Sequence, residues 1–168
     1  MGNHFKIILI TLLGIFISST SSFALCDFEK VSIGKTLKSF QETYIGTIKD
    51  RSDRLHSYDI SLDKVCRDQF EQAIAQYSFI NKKLHKIKIT DFQSETDFLK
   101  SLKYYYGKPT NGYDRPGTSG IAYYHWDKSG KSIFLLDSIK PDLRTQTIEI
   151  ISDRYNELSE RYMNYDNE

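Results

Sequence analysis

The chain has 168 residues, 39% of them hydrophobic and 14% aromatic, with 23 basic and 22 acidic side chains. That balance excludes the basic surplus on which nucleic-acid backbone binding and polybasic membrane attachment depend. The length suits one compact domain or two small fused halves, and the aromatic content is enough to build a core.

Residues Met1 to Ala24 have the layout of a secretory signal. Lys6 gives the positive start, Ile7 to Ile17 the apolar run, and Ser22-Phe23-Ala24 the small-x-small cleavage site. The apolar run is well short of the roughly 20 residues needed to span a bilayer, so the expectation is an exported protein, periplasmic or secreted, beginning at Leu25 with no stable membrane span. Cleavage removes Lys6 and leaves 22 charges of each sign. Cys26 and Cys66 are the only cysteines, and in an exported chain an even pair predicts a disulfide. Closing a loop of about 40 residues stabilises by ~4 kcal/mol in the chain-entropy model. The competing reading is a lipidated Cys26, which the bulky Leu25 opposes, since a lipoprotein signal has a small residue there.

After the signal, Ile33, Leu37, Phe40 and Tyr44 lie on one stripe of a helix ending near Gly46. Asp50 to Arg54 reads as a charged turn. Tyr58, Ile60 and Leu62 alternate with polar residues as a half-buried strand, and Ala73 to Ile80 and Leu84 to Ile89 form two more around an Asn81-Lys82-Lys83 turn. Lys86 and Lys88 alternate with Ile87 and Ile89, as on a solvated sheet face rather than in a nucleic-acid groove. Ser94 is placed to cap a helix carrying Phe98, Leu99, Leu102, Tyr105 and Tyr106 on its apolar side, with Tyr104 on the other, and Gly107 and Pro109 end it. Residues 107–120 hold four glycines and two prolines and predict a loop. Strands follow at Ile121 to Trp126, Ser132 to Ser138 and Thr145 to Ile151. A terminal helix carries Tyr155, Leu158, Tyr162 and Tyr165.

The order of helix, three strands, helix, three strands, helix suggests a tandem repeat with halves 25–92 and 93–168 inside one exported domain, 25–168. Leu37 and Phe98, Tyr44 and Tyr105, and Gly46 and Gly107 share one offset of 61 residues. The predicted class is α+β: an antiparallel sheet of about six strands with the helices on one face, built as an α-β-β-β repeat plus a C-terminal helix. Tyr44-Ile45-Gly46 and Tyr105-Tyr106-Gly107 at matching helix ends, followed by strand meanders, resemble the tandem-repeat fold of the β-lactamase inhibitory protein. A single such unit is similar to BamE-like outer-membrane assembly lipoproteins. The resemblance implies a periplasmic or secreted protein that works by contact rather than catalysis, and it transfers no site residue.

Strand 121–126 is aromatic on both sides. Ile121, Tyr123 and His125 point one way, and Ala122, Tyr124 and Trp126 the other. Tyrosine and tryptophan combine rigid contact area with a polar tip, so the candidate binding residues are Tyr104, Tyr113, Tyr123, Tyr124, His125 and Trp126, with the 107–120 loop beside them. The expected partner is another exported or envelope protein, in an inhibitor, immunity or assembly role. A small-ligand carrier with an aromatic-lined cavity is the alternative, and a small hydrolase a further one. His56, His85 and His125 stand in no metal-binding pair, no serine occupies a Gly-x-Ser-x-Gly elbow, and the Gly-Lys pairs lack the upstream glycine of a phosphate loop. No catalytic residue, metal site or cofactor is expected.

Overall fold

The computed structural model describes residues 27–29, 31–44, 47–52, 55–66, 73–92, 97–114, 119–141 and 143–165. The signal segment, Cys26, Gly46 and Ser94 lie outside them. The first half contains helix α1 (Leu37–Thr43) and strands β1 (Thr47–Ser52), β2 (Leu55–Ser61), β3 (Ala73–Ile80) and β4 (Lys83–Phe92). The second half contains α2 (Phe98–Tyr106), β5 (Asn111–Tyr113), β6 (Gly120–Lys128), β7 (Lys131–Lys140) and β8 (Leu143–Ser152), and α3 (Tyr155–Tyr165) closes the chain. The class is α+β. All pairings are antiparallel, and one sheet of eight strands runs β1-β2-β3-β4-β8-β7-β6-β5.

Each half is therefore a helix followed by four strands rather than three, and the halves meet where their last strands pair. The two additional strands come from segments without an alternating apolar signal. Thr47–Ser52 is mostly polar or charged, and Asn111–Tyr113 lies inside the Gly- and Pro-rich stretch expected to be loop.

Both half-leading helices start on side-chain caps. Thr36 Oγ1 accepts from the Ser39 amide, and Asp97 Oδ1 accepts from the Lys100 amide, each relieving one of the unpaired donors of a first turn. Asp97, not Ser94, is thus the cap of α2. The first helix is shorter than its apolar stripe suggests, because Ile33 precedes the cap. Gly107, at a φ of 77°, closes α2 as expected. Between β3 and β4, Asn81 and Lys82 have φ of 50° and 61°, the two positive values of a tight hairpin turn matched to sheet twist. An extra residue, His85, bulges β4 next to that turn, since Ser78 pairs with Lys86 and Phe79 with Leu84.

Cross-strand partners share a face, so the register separates two surfaces. The inner one carries Ala75, Tyr77 and Phe79, Ile87 and Ile89, Ile148 and Ile150, Ile133 and Leu135, and Trp126, all buried. Phe40 of α1 meets Tyr77 and Phe79 at ring-centroid distances of 4.8 and 5.1 Å, and Phe98 and Leu102 of α2 join the same core. Phe28 packs edge-on against Phe98, which ties the N-terminal segment to the second half. Cys66 is buried in this core and is not a free thiol.

The terminal helix departs from the one-faced arrangement. Tyr155 and Ser159 line a pocket with Ser57, Gln76, Ser78 and Lys86, all of which stand on the outer face of β2, β3 and β4. Ile80 and Leu158 are buried, though neither belongs to the main core cluster. Helix α3 thus covers the outer face of the first half. Among the described residues no helix is long and apolar enough to cross a membrane.

Candidate binding surface

Strand β6 sorts the candidate residues by register. Trp126 pairs with Ile133, Tyr124 with Leu135 and Ala122 with Asp137, so this set faces inward, toward α2. Trp126 is 0% exposed, and its Nε1 donates to the carbonyl of Gly107 at 2.8 Å. It is a core residue that anchors the end of α2, which removes it from the binding surface. The reason is size: the largest side chain in the chain fills the space under the helix, and its single polar atom finds the carbonyl left open at the helix end.

Tyr124 also belongs to the inner face. Its ring lies 6.4 Å from that of Trp126, Lys103 sits 5.9 Å above it, and its hydroxyl donates to Asp114. It lines a recess of about 300 Å³ together with Asp97, Asp137 and Arg144. There Arg144 grips Asp137 through Nε at 3.1 Å and Nη2 at 2.8 Å, a two-pronged ion pair that fits a planar carboxylate. Those hydrogen bonds to Asp137, outweighing partial burial, raise the Arg144 pKa further. The recess is a braced edge of the inner layer. Tyr104 stands on the outside of α2, 72% exposed and edge-on to Tyr105, which is itself 39% exposed although its spacing puts it on the apolar side.

The outer face of the second half is different. Tyr113, Tyr123, Phe134 and His125 form one row of rings across β5, β6 and β7. Centroid separations are 5.9 Å from Tyr113 to Tyr123, 6.3 Å from Tyr123 to Phe134, and 4.6 Å from Phe134 to His125, the last pair parallel to within 5°. Ile121 and Leu136 flank the row at 46% and 42% exposure, and Tyr113 is 56% exposed. Of the six candidates, three therefore come together: Tyr113, Tyr123 and His125. Burial, helped by the neighbouring Tyr113, raises the Tyr123 pKa.

Phe134, Leu136 and Ile121 complete the patch and lie outside the six candidate residues. Their signal was present in the alternation of β7, where Phe134 and Leu136 lie opposite the core residues Ile133 and Leu135. Gly112 makes the edge possible: a Cβ there would lie 2.6 Å from the backbone oxygen of Tyr123, so only glycine lets β5 approach β6 this closely.

His125 Nε2 is buried without a hydrogen-bond partner, and the flat of its ring is taken by Phe134. A different histidine, His85, contacts a serine, with Nδ1 2.8 Å from Ser152 Oγ, but Ser152 is only 8% exposed. Burial, with Arg154 and Lys83 adding to it, lowers the His85 pKa. Among the described residues no three His, Cys, Asp or Glu side chains converge as a metal site requires. Comparison with known proteins finds no matching family, no matching curated protein and no matching solved structure.

Proposed function

We propose that this protein is an exported protein-binding module that takes its partner on the outer face of its second half. One observation carries this reading: the continuous row Tyr113-Tyr123-Phe134-His125, with Ile121 and Leu136 at its sides, on a sheet face that no helix of the described residues covers. The outer face of an antiparallel sheet normally turns polar. Here it offers rigid rings and branched aliphatics, the composition of interface centres, beside tyrosine hydroxyls that can reach a partner. The exposure of Tyr113, Ile121 and Leu136 sets the row on an open sheet face, which favours contact with a macromolecule over carriage of a small ligand. Export and a Cys26–Cys66 disulfide belong to the same proposal. Phe28, two residues beyond Cys26, and Cys66 share one core, so such a bridge would hold the N-terminal segment where Phe28 already packs.

The test is affinity capture from envelope extract with the parent, a Tyr123→Thr, Leu136→Thr variant and a Tyr104→Ala variant, each checked for folding by its thermal transition. The outer-face variant is expected to keep its fold within about 1 kcal/mol and to lose binding by roughly 30-fold or more, the scale of two interface anchors. Tyr104→Ala is expected to bind as the parent does. Equal capture by the outer-face variant would discard this surface.

A further inference from the structure

We infer that the pocket beneath the terminal helix is a binding site for a small organic carboxylate. The pocket lies on the outer face of the first half, has a volume of about 140 Å³, and is separate from the aromatic row of the second half. Its floor is a single register row: Ser57 of β2 pairs with Ser78 of β3, and Ser78 with Lys86 of β4. Its roof is one side of α3, where Tyr155 and Ser159 stand four residues apart.

The chemistry of the walls is one-sided. Three serine hydroxyls, from Ser57, Ser78 and Ser159, and one ammonium, from Lys86, line the space beside the polar groups of His56, Gln76 and Tyr155, and no carboxylate among the described residues lines it. Lys86 is held in place from two directions: its Nζ is 5.4 Å from the Tyr155 ring centroid and 3.0 Å from Glu149 Oε1. Glu149 is shared with Lys88 at 3.8 Å, so two lysines face this one glutamate. Asp59, on the same outer face, accepts from Gln76 Nε2 at 2.9 Å and does not line the pocket. An anionic oxygen placed between Lys86 and the serines can accept from the ammonium and from hydroxyls that turn their O–H toward it.

The rest of the wall sets the shape of the ligand. Leu55 and Ile80 close the end nearest the hairpin and give an apolar surface for a ring or short chain. A cavity of this volume is close to that known to enclose one benzene molecule, so the ligand body is about six carbon atoms with its carboxylate at Lys86. Lys86 is 18% exposed, so the ammonium is partly desolvated and its attraction for a carboxylate is less screened than at an open surface.

Benzoate is a fitting probe, with the neutral benzamide as its control. In a titration of the isotope-labelled full chain followed by amide NMR shifts, benzoate is expected to give saturable shifts in β2, β3, β4 and α3. Benzamide and the Lys86→Met variant, which keeps the apolar stem under Tyr155, are each expected to bind at least about tenfold more weakly, the value of one hydrogen bond to a charged group. Ser78→Ala, a smaller change on the floor, is expected to weaken binding by a few-fold. The assignment is overturned if benzoate gives no saturable shifts, if benzamide binds as well, if Lys86→Met binds undiminished, or if the shifts fall only on Tyr113, Tyr123 and their neighbours.

Discussion

The two halves of the sheet are built alike on one side and finished differently on the other. On the inner face each half is covered by its own leading helix, α1 over Tyr77 and Phe79, α2 over Trp126 and Ile133. On the outer face the first half carries short polar side chains, lysines and a roof, α3, whereas the second half carries rings and no described roof. The inner face is what makes a fold of this sequence. The outer face is where the halves are free to differ, because side chains there are not required to fill a shared core.

The largest loss of stability is expected from the inner face. Trp126→Ala removes a fully buried ring and orphans the Gly107 carbonyl, and should cost about 3–5 kcal/mol by denaturant unfolding. A loss below about 1 kcal/mol would mean that Trp126 is not part of the core. Leu158→Ala tests the roof. Leu158 is 7% exposed, and its truncation is expected to cost about 2–3 kcal/mol and to speed amide exchange in the β3–β4 hairpin more than in β6. Uniform acceleration across both halves would show that α3 is not a local cover.

The smallest effect is pH-dependent. The His85 pKa lies below the ordinary value of 6.5 in the folded state, so the unfolded chain takes up a proton first as the pH falls. The contribution of His85 to stability is therefore full above about pH 6.5 and is lost as the pH drops from there toward the lowered folded-state value. Lys83 on its own strand and Arg154 before α3 add repulsion to the charged form. His85→Gln is expected to flatten part of the acid side of the stability curve, and an unchanged slope would count against this reading.

Much of the inner layer was legible in the sequence. The alternation in 73–80 and 84–89 and the helical stripe through Phe98 and Leu102 each come from apolar residues recurring at a single period, and the structure buries them accordingly, whereas Tyr105, read on the same stripe, is 39% exposed near the helix end. Legibility ended where both faces of a strand carry the same kind of residue. In β6, period 2 separates Tyr123 and His125 from Tyr124 and Trp126, but nothing local says which pair meets a helix. That is decided by the pairing of Trp126 with Ile133 and by a hydrogen bond to a helix end 19 residues away. The edge strands β1 and β5 were invisible for another reason. An edge is held by backbone hydrogen bonds to one neighbour, and these leave no apolar trace in charged Thr47–Ser52 or glycine-containing Asn111–Tyr113. The crossing of α3 to the outer face depends on where the chain leaves β8, and no periodicity encodes that.

The order of the strands also bears on how the chain reaches this structure. Six of the seven pairings join strands that follow one another along the chain, and the exception is β4 with β8, whose partners include Lys86 with Ile151. Hairpins between successive strands close quickly, because little chain entropy is lost before contacts form, whereas a seam between distant segments must wait for the intervening chain. Each four-stranded meander can therefore assemble on its own timetable, and the Ile87 and Ile89 edge of the earlier half stays unpaired until the later one arrives. Over that interval Lys86 and Lys88, alternating along the open edge, discourage a neighbouring molecule from taking the place reserved for β8.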